Sequence, residues 1–115
     1  MTSRALLSRS DGVDEAVDLE SFDARAVRDD ELLWIDVQAP TDDECTLVAS
    51  ALSLQAATIE ALSNGPAAPD GHVLEDGIFI TVQTLRDDVT QPPIVLHILI
   101  GQGWAVTWHR EPIAF

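Results

Sequence analysis

The clearest alternation of apolar and polar positions lies in residues 32–62, LLWIDVQAPTDDECTLVASALSLQAATIEAL. Its first six residues read as a strand buried on both faces, because Leu33, Ile35 and Val37 point one way while Leu32 and Trp34 point the other. Such a strand belongs in the middle of a sheet. Pro40 marks a turn, and Thr41-Asp42-Asp43-Glu44 then fits a capping box. Thr41 can accept from the amide of Glu44, whose carboxylate reaches back, while Asp42 and Asp43 favour the positive helix end. Cys45, Val48 and Leu52 recur at i, i+3 and i+7, joined by Leu47 and Ala51, which predicts a helix with one wide apolar face. Residues 55–62 predict a second, shorter helix with Ala57, Ile59 and Leu62 available for packing. Asn64-Gly65-Pro66 ends it with a left-handed cap and a breaker. A loop through Pro69, Asp70 and Gly71 follows.

Downstream, residues 78–85, 94–100 and 104–109 are rich in β-branched and aromatic side chains. They are separated by a polar stretch containing Asp87 and Asp88 and by Gly101-Gln102-Gly103, the pattern of an antiparallel meander. Upstream, residues 5–7 and 13–19 read as strands around the favourable hairpin dipeptide Asp11-Gly12. Phe22, Ala26 and Val27 suit one face of a short helix in residues 21–28. Taken together the periodicities predict a single α+β domain over residues 1–115: a mixed, largely antiparallel β-sheet with helices packed on its faces. Leu33, Ile35, Val48, Leu52, Ile78, Ile80, Val82, Leu96 and Ile98 are the positions expected to point into its core.

Length and composition narrow the function classes. A chain of 115 residues is about one domain. Its longest apolar run, residues 94–100, contains His97, whereas a membrane-spanning helix needs about 20 mostly apolar residues. The opening Met1-Thr2-Ser3-Arg4 leads into only three apolar residues, too few for a secretory signal, so a cytosolic compartment is expected. The single cysteine, Cys45, excludes an intramolecular disulfide framework and a cysteine-based zinc knuckle. Its place on an apolar helix face suits a small packed thiol better than a nucleophile. Six basic residues against twenty acids give a formal charge of -14, which opposes binding to nucleic acid phosphates.

The acids do not by themselves make a metal site. Hard cations need several convergent oxygens, whereas Asp29-Asp30-Glu31, Asp42-Asp43-Glu44 and Asp87-Asp88 fall in a loop, a helix start and a hairpin loop, where solvated or capping charge is expected. His72, His97 and His109 show no metal-ligand spacing, and His97 reads as a hydrogen-bonded histidine on an apolar strand. Nucleophile-elbow and phosphate-loop patterns are absent, and Gly101-Gln102-Gly103 is explained by a turn. No enzyme is expected. Trp34, Trp104 and Trp108 occupy strand positions and are expected to pack in the core.

The order of these motifs resembles one family, the CorA-type divalent-cation transporters. Its members carry a similar tryptophan strand, a proline, an acidic helix start and a second short helix ending in an acidic residue. Val73-Leu74-Glu75-Asp76-Gly77-Ile78-Phe79-Ile80 looks like a strand pair of that family, and Trp104-Ala105-Val106-Thr107-Trp108-His109-Arg110 is similar to its final strand, so the resemblance covers residues 32–113. It implies a cytoplasmic sensing and assembly domain of a homopentameric magnesium, cobalt or nickel transporter, or of a related zinc transporter. Such a domain lies on the cytoplasmic face of the membrane without inserting into it and couples cytosolic metal level to pore state. The implied partners are stalk helices and neighbouring subunits of its own full-length homo-oligomer, together with divalent cations. No cofactor is expected to bind tightly, although Mg²⁺ or another divalent cation would sit in the full assembly. Glu60 corresponds to one acid of a regulatory metal pair whose other member is replaced here by Ala61, so its site would be completed by residues outside this chain. His-Pro at the start of the family's second helix is replaced by Gln55-Ala56, and the pore segment with its Gly-Met-Asn signature is absent. The alternative reading is a free-standing acidic α+β interaction module of the same fold with no transport role.

Overall fold

In a computed structural model, residues 2–9, 11–12, 14–20, 27–65, 68–84 and 90–113 are described. Among these residues seven strands and two helices follow in the order β1 (Thr2–Ser8), β2 (Asp14–Ala16), β3 (Leu32–Gln38), α1 (Asp42–Leu52), α2 (Ala56–Asn64), β4 (Asp70–Leu74), β5 (Gly77–Thr84), β6 (Ile94–Ile100) and β7 (Trp104–His109). The strands form one mixed sheet of order β2-β1-β3-β7-β6-β5-β4, the α+β class expected. Every neighbouring pair is antiparallel except β3 and β7, which run parallel with Leu33 opposite Trp104 and Val37 opposite Trp108. The expected helix in residues 21–28 falls largely outside the described residues, as do Asp87 and Asp88.

Local signals near the chain's start and centre act as read. The β1–β2 hairpin turns through Asp11 and Gly12, whose φ of 82° is open to glycine at no steric cost. At the start of α1 the capping box closes, with Glu44 N–H donating to Thr41 Oγ1 at 3.4 Å and Thr41 N–H donating to Glu44 Oε1 at 3.1 Å. Val48 and Leu52 are buried, and Cys45, Leu47 and Ala51 pack beside them. Ser53 ends the helix in the left-handed region at φ 54°.

Several expectations need correction. Residues 70–71 start the edge strand β4 and are not loop, because they pair with Thr81 and Ile80 of β5. Ala57 is exposed, and Thr58, only 3% exposed, takes its place on the inner side of α2 beside Ile59, Ala61 and Leu62. Gly65 caps α2 in extended backbone, φ -68°, not in a left-handed turn. Its glycine is required by crowding, since a Cβ there would stand 2.2 Å from the Ala61 carbonyl oxygen.

The largest correction concerns the core. Leu33, Ile35, Val48 and Leu52 lie in it as expected, with Val37, Leu62, Phe79, Leu99, Trp104, Val106 and Trp108 around them. β5 and β6, however, present the opposite phase: Phe79 and Leu99 point toward the helices, while Ile78 is 49% exposed and Ile80, Val82 and Ile98 are half-buried on the other face. Leu96 is buried, but on that other face. β6 is apolar at odd and even positions alike except for His97, and β5 sets Ile78, Ile80 and Val82 against Phe79, Thr81 and Gln83, so alternation points to the wrong face. The register decides: Leu99 opposes Val106 of β7, whose neighbours Trp104 and Trp108 already face the helices. Trp104 and Trp108 are thus core residues as expected, while Trp34 is half-buried on the far face. Both helices pack on one face of the sheet. The opposite face carries Leu6, Leu32, Val73, Ile78, Ile80, Val82, Ile98 and Ile100, and no described helix covers it.

Candidate functional site

Helix α2 carries Glu60, the one residue singled out as a metal ligand. Its side chain is exposed on the outer surface, where Oε1 accepts from Asn64 Nδ2 at 3.1 Å, a pairing that the i, i+4 spacing brings about. Ala61 beside it turns inward and packs against the core. Among the described residues no three His, Cys, Asp or Glu side chains converge, so Glu60 offers one carboxylate and not a complete cation shell.

What holds Glu60 in place was not legible from its own helix. Gln55 provides no side-chain cap for α2. Asp76, in the β4–β5 turn, supplies one from a distance: its Oδ2 accepts from Gln55 N–H at 2.9 Å and from Thr58 Oγ1 at 2.6 Å. The neighbouring Glu75 carboxylate takes the Gln55 side-chain amide. Two acids thus sit at the positive pole of the helix, where their charge is favoured. At the negative pole the Leu62 carbonyl lies 3.0 Å from His97 Nδ1, and the Ser63 carbonyl accepts from Arg110 Nη2 at 3.3 Å. Both poles are therefore tied to the sheet and to the segment leaving it, although α2 has no acidic residue in its first turn and no basic one in its last.

These C-terminal ties border a cleft of about 420 Å³ whose lining includes Ser63, Gly65, Pro93, His97 and Arg110. His97 is the buried, hydrogen-bonded histidine expected from sequence, and its ring also lies 5.3 Å from that of Phe79. The His72 ring, tilted 42° to that of Phe79 at 5.2 Å, remains exposed on β4. Cys45 is half-buried between the helices. Burial, followed by the nearby Asp42 and Glu44 charges, pushes its thiol above the ordinary range against the opposing hydrogen bond with Ser63. That direction disfavours the thiolate a nucleophile needs.

The third histidine lies on the far side of the sheet. His109 is 3% exposed, and its Nε2 is 2.8 Å from Asp36 Oδ1. Thr107 Oγ1 donates to the same oxygen at 2.7 Å, and Trp34 Nε1 donates to Thr107 Oγ1 at 3.0 Å. Sequence reading missed this cluster, because its members are more than 70 positions apart and meet only through the β3–β7 pairing.

No protein-family model matches the chain, and no curated protein sequence does. Solved structures do. The complete CorA magnesium transporter from Methanocaldococcus jannaschii matches with a TM-score of 0.71 at 22% identity, over 98% of this chain and 34% of the transporter. The soluble domain of the same CorA matches with a TM-score of 0.73 at 19% identity, over 97% of this chain and 42% of the domain. The cytoplasmic domain of ZntB from Vibrio parahaemolyticus RIMD 2210633 matches with a TM-score of 0.70 at 13% identity, over 98% of this chain and 46% of that domain. This chain thus spans less than half the length of each, and what it shares with them is the fold of the CorA and ZntB cytoplasmic domains.

Proposed function

We propose that the chain is the cytoplasmic sensing and assembly domain of a CorA-like divalent-cation transporter. The observation that carries the reading is the fold match to a CorA soluble domain and a ZntB cytoplasmic domain over 97% and 98% of this chain. In this reading the domain moves no ions itself. Glu60 faces outward on a helix tied at both poles, a placement suited to meeting acids on a stalk helix or neighbouring subunit of the full-length homo-oligomer. Mg²⁺ or Co²⁺ between those carboxylates screens their repulsion and favours the closed ring, and loss of the ion releases it. The apolar sheet face that no described helix covers supports the assembly part of the reading, because exposed apolar side chains such as Val73, Ile78 and Ile100 side by side suit an interaction surface. No described helix is long and apolar enough to cross a membrane.

Calorimetric titration of the 115-residue chain with Mg²⁺ and Co²⁺ tests the division of ligands. One carboxylate is too few for tight hard-cation binding, so no saturable site of micromolar affinity is expected. In the full-length protein Glu60→Gln should lower the protection that metal gives against proteolysis. Undiminished protection would make Glu60 plain surface charge and remove the sensing part of this reading.

A further inference from the structure

The polar cluster on the sheet face opposite the helices has a proton requirement of its own. Trp34 Nε1–H donates to Thr107 Oγ1, and Thr107 in turn gives its single hydroxyl proton to Asp36 Oδ1. His109 Nε2 lies 2.8 Å from that same oxygen, and its Nδ1 meets the carbonyl oxygen of Glu111. A carbonyl oxygen only accepts, so Nδ1 must carry a hydrogen. Two lone pairs at 2.8 Å repel, so a second proton must lie between Nε2 and the carboxylate. An imidazolium facing a carboxylate meets both demands, and so does a neutral ring facing a protonated carboxyl. In either microstate the pair holds one proton more than a neutral histidine beside an ionised aspartate.

We propose that the Asp36–His109 pair is a proton-held latch that fixes the turn by which the chain leaves β7. With the proton in place, His109 holds the Glu111 carbonyl, and the turn directs Arg110 to the Ser63 carbonyl at the end of α2. Loss of the proton to solvent leaves Nε2 and Oδ1 with opposed lone pairs. The ring must then turn away, and the grip on Glu111 goes with it. Arg4 of β1 brings its Nη2 to 3.7 Å from Asp36 Oδ2, and the charged Arg110 and Glu111 follow His109 in the turn itself. Flanking β6 sets the uncharged Leu96 opposite His109, and His97 of that strand points to the other face. A conformation that requires a bound proton is favoured as pH falls. The latch is therefore favoured at lower pH and released as pH rises. This inference does not depend on the transport reading.

Nuclear magnetic resonance of the labelled 115-residue chain between pH 5.5 and 8.5 tests it. The readouts are the ring nitrogens of His109, the carboxyl carbon of Asp36 and the backbone amides of Glu111 and Asn64. We expect the pair to lose one proton in a single transition that also shifts both amides. That transition should vanish in His109→Gln and move in Asp36→Asn, whereas titration of the exposed His72 should leave the two amides unmoved. An unprotonated Nε2 beside an ionised Asp36 at pH 5.5 would overturn the latch. So would a His109 titration that leaves the Glu111 and Asn64 amides in place. Both readings come from the unmutated chain, so the decision stands even where a variant does not fold.

Discussion

Asp76 sits in the turn between β4 and β5, yet its carboxylate serves the start of α2, 21 positions earlier in the chain. Two donors, Gln55 N–H and the Thr58 hydroxyl, depend on it, and Thr58 is buried. Asp76→Ala should therefore cost about 1 to 3 kcal/mol, the range for stranding buried donors, read as a lower urea midpoint. Thr81 is the reverse case. It is 1% exposed, and its hydroxyl finds no hydrogen-bond partner among the described residues. Thr81→Val keeps the shape and removes the unpaired oxygen, so it should stabilise the fold by about 1 kcal/mol. A loss at Thr81 or no change at Asp76 would show that these two hydrogen-bonding environments are not as described. Ala39 is a third residue held by its surroundings. Its φ of 45° is unusual for alanine, and it is kept there by donating its N–H to the His109 carbonyl at 2.8 Å.

At the scale of elements, α1 was legible because all its signals are local: an N-cap, a reciprocal glutamate and apolar residues at helical spacing lie within twelve consecutive residues. β5 and β6 were legible as strands but not in their facing. In β5 the polar Thr81 and Gln83 share the face of Phe79 while Ile78, Ile80 and Val82 take the other, so alternation misleads and the pairing through β6 to β7 decides. The phase can be measured. Phe79→Ala empties a fully buried site beneath the helices and should cost about 3 to 5 kcal/mol. Ile78→Ala, one residue away but about half exposed, should cost under about 1.5 kcal/mol, since little of its side chain leaves water on folding. The inverse ranking would restore the facing that alternation suggested. The candidate site was legible only in part. Glu60 lies on the expected helix, but its supports come from Asp76, His97 and Arg110, and helical periodicity carries no information about such distant partners.

For the whole molecule, the contrast between the two sheet faces governs behaviour in solution. One face is sealed by α1 and α2, and the other leaves Val73 79%, Ile78 49% and Ile100 42% exposed. The 115-residue chain should bind the neutral apolar dye Nile red. The double change Ile78→Glu, Ile100→Glu places charge on two directly paired residues and should remove most of the fluorescence while preserving the fold. Retained fluorescence would place the apolar surface elsewhere. The parallel β3–β7 pair has another consequence, this time in how the chain reaches its fold. Among the described strands it is the one seam joining the β2-β1-β3 ribbon to the β7-β6-β5-β4 meander, and it connects residues 73 positions apart such as Trp34 and Thr107. Each ribbon can zip from its own hairpins, but the seam must close a long loop and carries the loop's entropy cost before any contact rewards it. Substitutions along the seam, at Val37 or Val106, should therefore slow folding where the closing step limits the rate. Substitutions inside either hairpin ribbon should chiefly hasten unfolding.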